Sequence, residues 1–114
     1  MSLAKNEAMR ARLLAYPPLE EAKAALDEQH TSDNWYNYGM ALVSAGKSEE
    51  AIDAYSQGLV ENPFAPILYF GRGRRYIGPK KYDRAIADFT MAIRLDPEAV
   101  SYTHLRAHET LRHL

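Results

Sequence analysis

Two stretches decide the fold. Trp35 to Pro63 reads WYNYGMALVSAGKSEEAIDAYSQGLVENP, and Tyr69 to Pro97 reads YFGRGRRYIGPKKYDRAIADFTMAIRLDP. Shifted by 34 positions, the first falls on the second. Trp35 meets Tyr69, Gly39 meets Gly73, Ala51 meets Ala85 and Ile52 meets Ile86. Tyr55 meets Phe89, Leu59 meets Ile93 and Pro63 meets Pro97. Matches at seven ordered places mark an internal repeat, and a period of this length belongs to stacked supersecondary units.

Each unit reads as two helices. In the first, Asp33 is placed to cap a helix through about Ala45. Trp35, Tyr38, Gly39 and Leu42 recur at three- and four-residue spacing and form one apolar stripe. Gly46 ends that helix. Ser48 is placed to cap the next, with Glu49 and Glu50 complementing its dipole. Ala51, Tyr55, Gly58 and Leu59 form its inward stripe, and Asn62-Pro63 stops it. In the second unit Pro66 opens a helix, Gly78-Pro79 breaks it, and a further helix runs from about Tyr82 to Leu95. A mid-helix glycine costs about 1 kcal/mol relative to alanine. Its recurrence at Gly39 and Gly73 predicts close packing, with Ala51 and Ala85 expected opposite. Trp35, Tyr55, Tyr69 and Phe89 are expected to fill the surrounding gaps.

The spacing Trp35, Tyr38-Gly39, Leu42, Ala51, Tyr55, Gly58, Pro63 resembles the tetratricopeptide repeat. So does Tyr69, Arg72-Gly73, Tyr76, Ala85, Phe89, Ala92, Pro97. The resemblance covers about residues 32–99. It implies an all-α, right-handed solenoid of helical hairpins, about six helices in all. Unit one spans residues 32–65 and unit two 66–99. Two positions depart from the family pattern: Arg72 stands where leucine is usual, and Gly58 where alanine is usual. Arg72 is expected to pair with Asp88 on the following helix.

The first 31 residues do not share the register, because Pro17 falls where Ala51 and Ala85 sit. Their pattern is still helical. Met9, Leu13 and Tyr16 share one face. Pro17-Pro18 ends that helix and opens another, with Leu19, Ala22 and Leu26 at helical spacing through about Gln29. A capping hairpin over residues 1–31 is favoured over a degenerate repeat.

Residues 100–114, VSYTHLRAHETLRHL, hold three of the four histidines. The stretch resembles translated read-through of a transposase-type sequencing adapter. The expectation is a non-native tail on a natural chain cut near Ala99. His104 and His108 are four apart, as helical metal ligands often are. No third ligand is evident, so no metal and no cofactor are expected.

Composition narrows the function. The chain has 114 residues, enough for one domain, and a formal charge of -1. That balance argues against a general polyanion binder. Zero cysteines remove disulfides and thiol chemistry. No signal peptide or membrane-spanning run is visible, which predicts a soluble, cytoplasmic chain with no membrane partner. No catalytic motif is present, and no enzyme is expected. GRGRR at Gly71 to Arg75 falls inside a helix pattern, where its N–H groups are already used. His30 reads as a solvated residue near a helix end.

Protein or peptide binding is the function the resemblance implies. In the family the first helix of each pair lines a concave groove. On this face stand Tyr36, Met40 and Val43 in unit one, and Phe70, Arg74 and Ile77 in unit two. A segment with hydrophobic anchors and an acid opposite Arg74 would suit them. Some of these residues would instead meet the N-terminal hairpin or a further repeat. Tyr36 and Met40 stand where the carboxylate-gripping subclass of the family carries lysine and asparagine, so that mode is not expected. Arg72, Arg74, Arg75, Lys80 and Lys81, interleaved with Tyr69, Phe70 and Tyr76, give the weaker alternative of single-stranded RNA. Ahead of RNA, the runner-up is a structural assembly segment of a longer repeat protein. The uncovered helix from Tyr82 to Leu95 is expected to promote self-association.

Overall fold

The computed structural model describes residues 18–98. The expected helix through Met9 to Tyr16 and the tail at residues 100–114 lie outside them. The described chain is all α, with five helices: α1 (Leu19–Glu28), α2 (Ser32–Ser44), α3 (Ser48–Glu61), α4 (Pro66–Ile77) and α5 (Tyr82–Leu95). Helices α2 and α3 pack as one hairpin, and α4 and α5 as the next. Helix α1 lies on α2. Helix α4 touches both members of the first hairpin.

The ends of the helices follow from local chemistry, with two corrections. Thr31, not Asp33, caps α2: its hydroxyl accepts the Asn34 N–H at 3.1 Å. The Asn34 side chain then turns back and donates to the carbonyls of Ala25 at 3.2 Å and Gln29 at 2.8 Å, closing the end of α1. Ser48 is the first helical residue of α3 and not its cap. Lys47 holds the cap position and makes no side-chain capping bond. Pro66 opens α4 as expected, because its missing N–H is not needed there.

The two hairpin turns share one geometry. Gly46 takes a left-handed φ of 78°, and the Lys47 N–H donates to the Leu42 carbonyl at 2.8 Å. This pattern satisfies the last orphan carbonyls of a helix. In the second hairpin Gly78 stays right-handed. The left-handed residue is Lys80, at φ 62°, and the Lys81 N–H donates to the Tyr76 carbonyl at 2.9 Å.

One apolar cluster runs from α1 to α4 through Leu26, Trp35, Leu42, Tyr55, Leu59 and Leu68. A second is built on Ala85 and Phe89, with Phe70, Tyr76 and Ile77 packed on it. The glycines do admit close packing, but against rings. A Cβ on Gly39 would collide with the Tyr55 ring, and one on Gly73 would lie 2.9 Å from Phe89 Cε1. Ala51 and Ala85 are fully buried, and the atoms nearest a Cβ on those glycines belong to Tyr55, Phe89 and Asp88.

Candidate peptide-binding groove

Helices α2 and α4 run side by side because each is the first member of its hairpin. Tyr36 on α2 and Phe70 on α4 hold equivalent positions, and each is half-buried. Each leans on the aromatic residue of its own second helix. The Tyr36 and Tyr55 rings are 6.0 Å apart and tilted by 30°. Those of Phe70 and Phe89 are 5.5 Å apart and tilted by 48°. Such offset pairs contribute about 0.5–1.5 kcal/mol beyond their burial. Gly71 lets the seam close: a Cβ there would come within 3.3 Å of Tyr36 Cε1 and 2.9 Å of Tyr55 Cζ.

The other four residues of the predicted face divide. Val43 and Ile77 are half-buried, each against its hairpin's core cluster. Arg74 is exposed, with its guanidinium 5.9 Å from the Phe70 ring centre. Met40 is only 6% exposed and belongs to the core cluster. It supports the face from beneath and offers a ligand little surface.

Arg72 does what its position promised. Its Nε and Nη2 donate to the two carboxylate oxygens of Asp88 at 2.9 and 2.8 Å, and Nη1 donates to Ser56 at 3.1 Å. Asp88 is 5% exposed. Hydrogen bonding to Asp88 pushes the Arg72 guanidinium pKa further up. This charge is consumed inside the fold. Tyr69 is tied to the turn before its helix, its hydroxyl donating to the Pro63 carbonyl at 2.9 Å. The Arg72 guanidinium, with its donors on Asp88 and Ser56, is not available to a nucleic-acid strand.

Sequence reasoning missed one cluster. The Trp35 indole N–H donates to Glu61 Oε2 at 2.8 Å, and His30 Nδ1 lies 3.0 Å from Glu61 Oε1. The His30 ring stands edge-on to Trp35 at 5.6 Å. His30 is therefore more than a solvated residue. The signal was available in the antiparallel hairpin, which returns the end of α3 to the start of α2. The hydrogen bonds from Trp35 and then His30 hold the Glu61 carboxyl below its ordinary value. Among the described residues no group of three or more His, Cys, Asp or Glu could hold a metal, and no helix is long and apolar enough to cross a membrane.

Known proteins agree with this architecture. The tetratricopeptide-repeat family model matches residues 19–66 and again 36–100. Human serine/threonine-protein phosphatase 5 is 33% identical over 91 residues, which is 80% of this chain and 17% of that protein. Human RNA polymerase II-associated protein 3 is 37% identical over 58 residues, 51% of this chain and 9% of that protein. Human tetratricopeptide repeat protein 6 is 24% identical over 83 residues, 73% of this chain and 16% of that protein. The chain thus spans less than a fifth of the length of these relatives. The matched residues take in all five helices, the repeated glycine–aromatic contacts and the two hairpin turns, and the chain belongs to the tetratricopeptide-repeat family.

Proposed function

We propose that the chain is a non-catalytic, cytoplasmic scaffold that binds a protein or peptide segment along the α2–α4 face. One observation carries the reading: Tyr36 and Phe70, at equivalent positions, present half-buried aromatic rings along one seam. Aromatic rings held at little remaining entropic cost are what interface anchors require. Val43 and Ile77 extend the apolar strip, Met40 underlies it, and Arg74 supplies a cation at its edge. Residues 1–31 serve as the cap, and residues 32–65 and 66–99 as the two repeat units. Photo-cross-linking from benzoylphenylalanine installed at Tyr36 tests this in cells. A protein adduct that Phe70→Ala removes is the expected result. An adduct with RNA, or a protein adduct indifferent to Phe70, overturns it.

A structural assembly segment of a longer repeat protein is the second reading. Ile86, 45% exposed on the outer side of α5, favours it. A stacked neighbour or a second copy would bury that face.

A further inference from the structure

The two hairpins share a backbone and differ in charge. Residues 18–65 hold nine acidic and two basic side chains, whereas residues 66–98 hold seven basic and four acidic ones. Five of those cations gather at one end of the second hairpin. Arg74 and Arg75 are in the last turn of α4, Lys80 and Lys81 in the connecting turn, and Arg84 in the first turn of α5. Lys80, Lys81 and Arg84 line a shallow cleft of about 330 Å³ together with Tyr82 and Asp83.

The repeat supplies its own control. The positions 34 earlier hold Met40, Ala41, Gly46, Lys47 and Glu50, which include one cation. The first hairpin closes with the same left-handed turn and the same carbonyl bond. The scaffold therefore does not require the charge. Two of the cations, Arg84 and Lys80, are also poorly placed for stability. Arg84 sits at the positive end of the α5 dipole, where acids are favoured and where the first hairpin has Glu50, whereas Lys81 repeats Lys47 at the cap position. Lys80 occupies the left-handed position that Gly46 fills in unit one.

Among the described residues no ion pair joins Arg74, Arg75, Lys80, Lys81 or Arg84 to a carboxylate. Of the three arginines of α4, only Arg72 meets a carboxylate among the described residues. Arg74 lies over Phe70 at 5.9 Å and Arg84 over Tyr76 at 5.8 Å. Arg75 Nε is buried with no acceptor.

We propose that this end of the second hairpin recognises a short acidic segment of a partner protein. Its carboxylates would sit at Arg74, Lys80, Lys81 and Arg84, beside an apolar anchor on Phe70 and Ile77. The inference rests on the α2–α4 face being the binding face and names the chemistry that face selects. A nucleic-acid strand fits less well. Of the cations interleaved with rings on α4, Arg72 is spent on Asp88, and Tyr76 lies against Arg84 at 5.8 Å. The nine acids of residues 18–65 would repel a polyanion longer than the patch.

The test uses the full chain and a fluorescein-labelled, amidated peptide, Gly-Ser-Leu-Glu-Glu-Leu-Glu-Ser-Gly, beside its all-Gln counterpart. Amidation removes the terminal carboxylate, so only side chains can supply the acid. Three exposed ion pairs predict that the Glu peptide binds about five- to tenfold tighter at about 50 mM salt, with the advantage shrinking at about 300 mM. The double reversal Lys81→Glu with Arg84→Glu should remove the preference. Lys47→Glu, at the position equivalent to Lys81 in unit one, should leave it intact. Circular dichroism verifies that each variant is folded. Equal binding of both peptides, lost in Phe70→Ala, overturns the acidic preference and leaves the groove standing. Binding of neither peptide overturns the preference, and the cross-link from Tyr36 then decides the groove separately. Tighter binding of a uridine oligonucleotide of similar length overturns it in favour of RNA.

Discussion

Gly46 and Lys80, 34 residues apart, both take the left-handed backbone conformation that closes a hairpin, at φ 78° and 62°. The repeat thus conserves a dihedral angle where it does not conserve the residue. Glycine adopts this conformation without penalty, whereas a side chain pays about 1 kcal/mol or more. Lys80→Gly should therefore stabilise the chain by about 0.5–1 kcal/mol once the extra freedom of glycine in the unfolded state is counted. The thermal midpoint should rise by roughly 2–6 °C. Gly46→Lys should lower it by a similar amount. A Lys80→Gly variant that melts no higher than the parent would show that the turn is relaxed with lysine in place.

The Arg72–Asp88 pair predicts an asymmetric response. Asp88→Leu alone strands a guanidinium that is largely enclosed, its side chain 22% exposed. Breaking a buried pair from one side costs several kcal/mol, and the partial exposure of Arg72 moderates this to about 2–3 kcal/mol. The double change Arg72→Leu with Asp88→Leu should recover most of the loss, because no unpaired charge then remains. Urea denaturation of the four forms measures the coupling. Additive losses would mean that the two side chains act independently.

Gly39 and Gly73 rank two further substitutions. Gly39→Ala would push a methyl into the Tyr55 ring, which is fully buried and has no room to withdraw. Overpacking typically costs about 1–3 kcal/mol, offset by about 1 kcal/mol of helix propensity. A net loss of about 1–2 kcal/mol is expected. Gly73→Ala meets the edge of Phe89 at 2.9 Å and Asp88 Cβ at 3.1 Å, a milder clash than that at Gly39, and should cost less. Denaturant midpoints give the order, and a Gly73→Ala variant weaker than Gly39→Ala would contradict the packing described.

These contacts mark how far the sequence was legible. Pro66, Gly46, Asn62-Pro63 and the run Tyr82 to Leu95 act locally, and each bounds its helix where the spacing put it. The α2 cap was not legible. Thr31 and Asp33 are both capping residues, and only the extended backbone at Thr31, φ -86° and ψ 159°, selects between them. Met40 and Arg74 occupy the same place in the repeat, yet one is buried and the other exposed. Depth on the face depends on neighbours that periodicity does not encode. The Glu61 cluster joins three residues from different segments: the hairpin implies that the end of α3 returns to the start of α2, but which side chains meet there is set by the tertiary fold. The pairing of Arg72 with Asp88 was legible because a charge facing a partner helix has few ways to be satisfied.

Glu61 predicts a pH response with a definite sign. Its carboxyl is held below its ordinary value by the Trp35 and His30 bonds, so the unfolded chain takes up the proton first as pH falls. Its contribution is complete above the ordinary carboxylate value and is lost progressively as the pH falls from there through the lowered value of the folded chain. Glu61→Gln keeps an acceptor for the indole but cannot titrate. Trp35 is the only tryptophan and reports the site directly. Melts followed by its fluorescence between pH 7 and about pH 3 should fall more steeply in the parent than in Glu61→Gln. Parallel slopes would show that the carboxylate gains nothing from these bonds.

Adjacent residues on α2 should separate binding from folding. Trp35 is 8% exposed, donates to Glu61 and lies against Gly58. Trp35→Ala should cost about 3–5 kcal/mol, enough to unfold a domain of this size. Tyr36 is half-buried and spends part of its ring on Tyr55. Tyr36→Ala and Phe70→Ala should each lose about 1–2 kcal/mol of stability, chiefly the aromatic pair and some apolar area. Both should remain folded by circular dichroism while losing most of their affinity for a partner that uses the groove. A hot-spot aromatic removed from an interface typically costs 2 kcal/mol or more, about thirtyfold in Kd. If Tyr36→Ala and Phe70→Ala unfold the chain as fully as Trp35→Ala does, these rings are core residues and the binding face lies elsewhere.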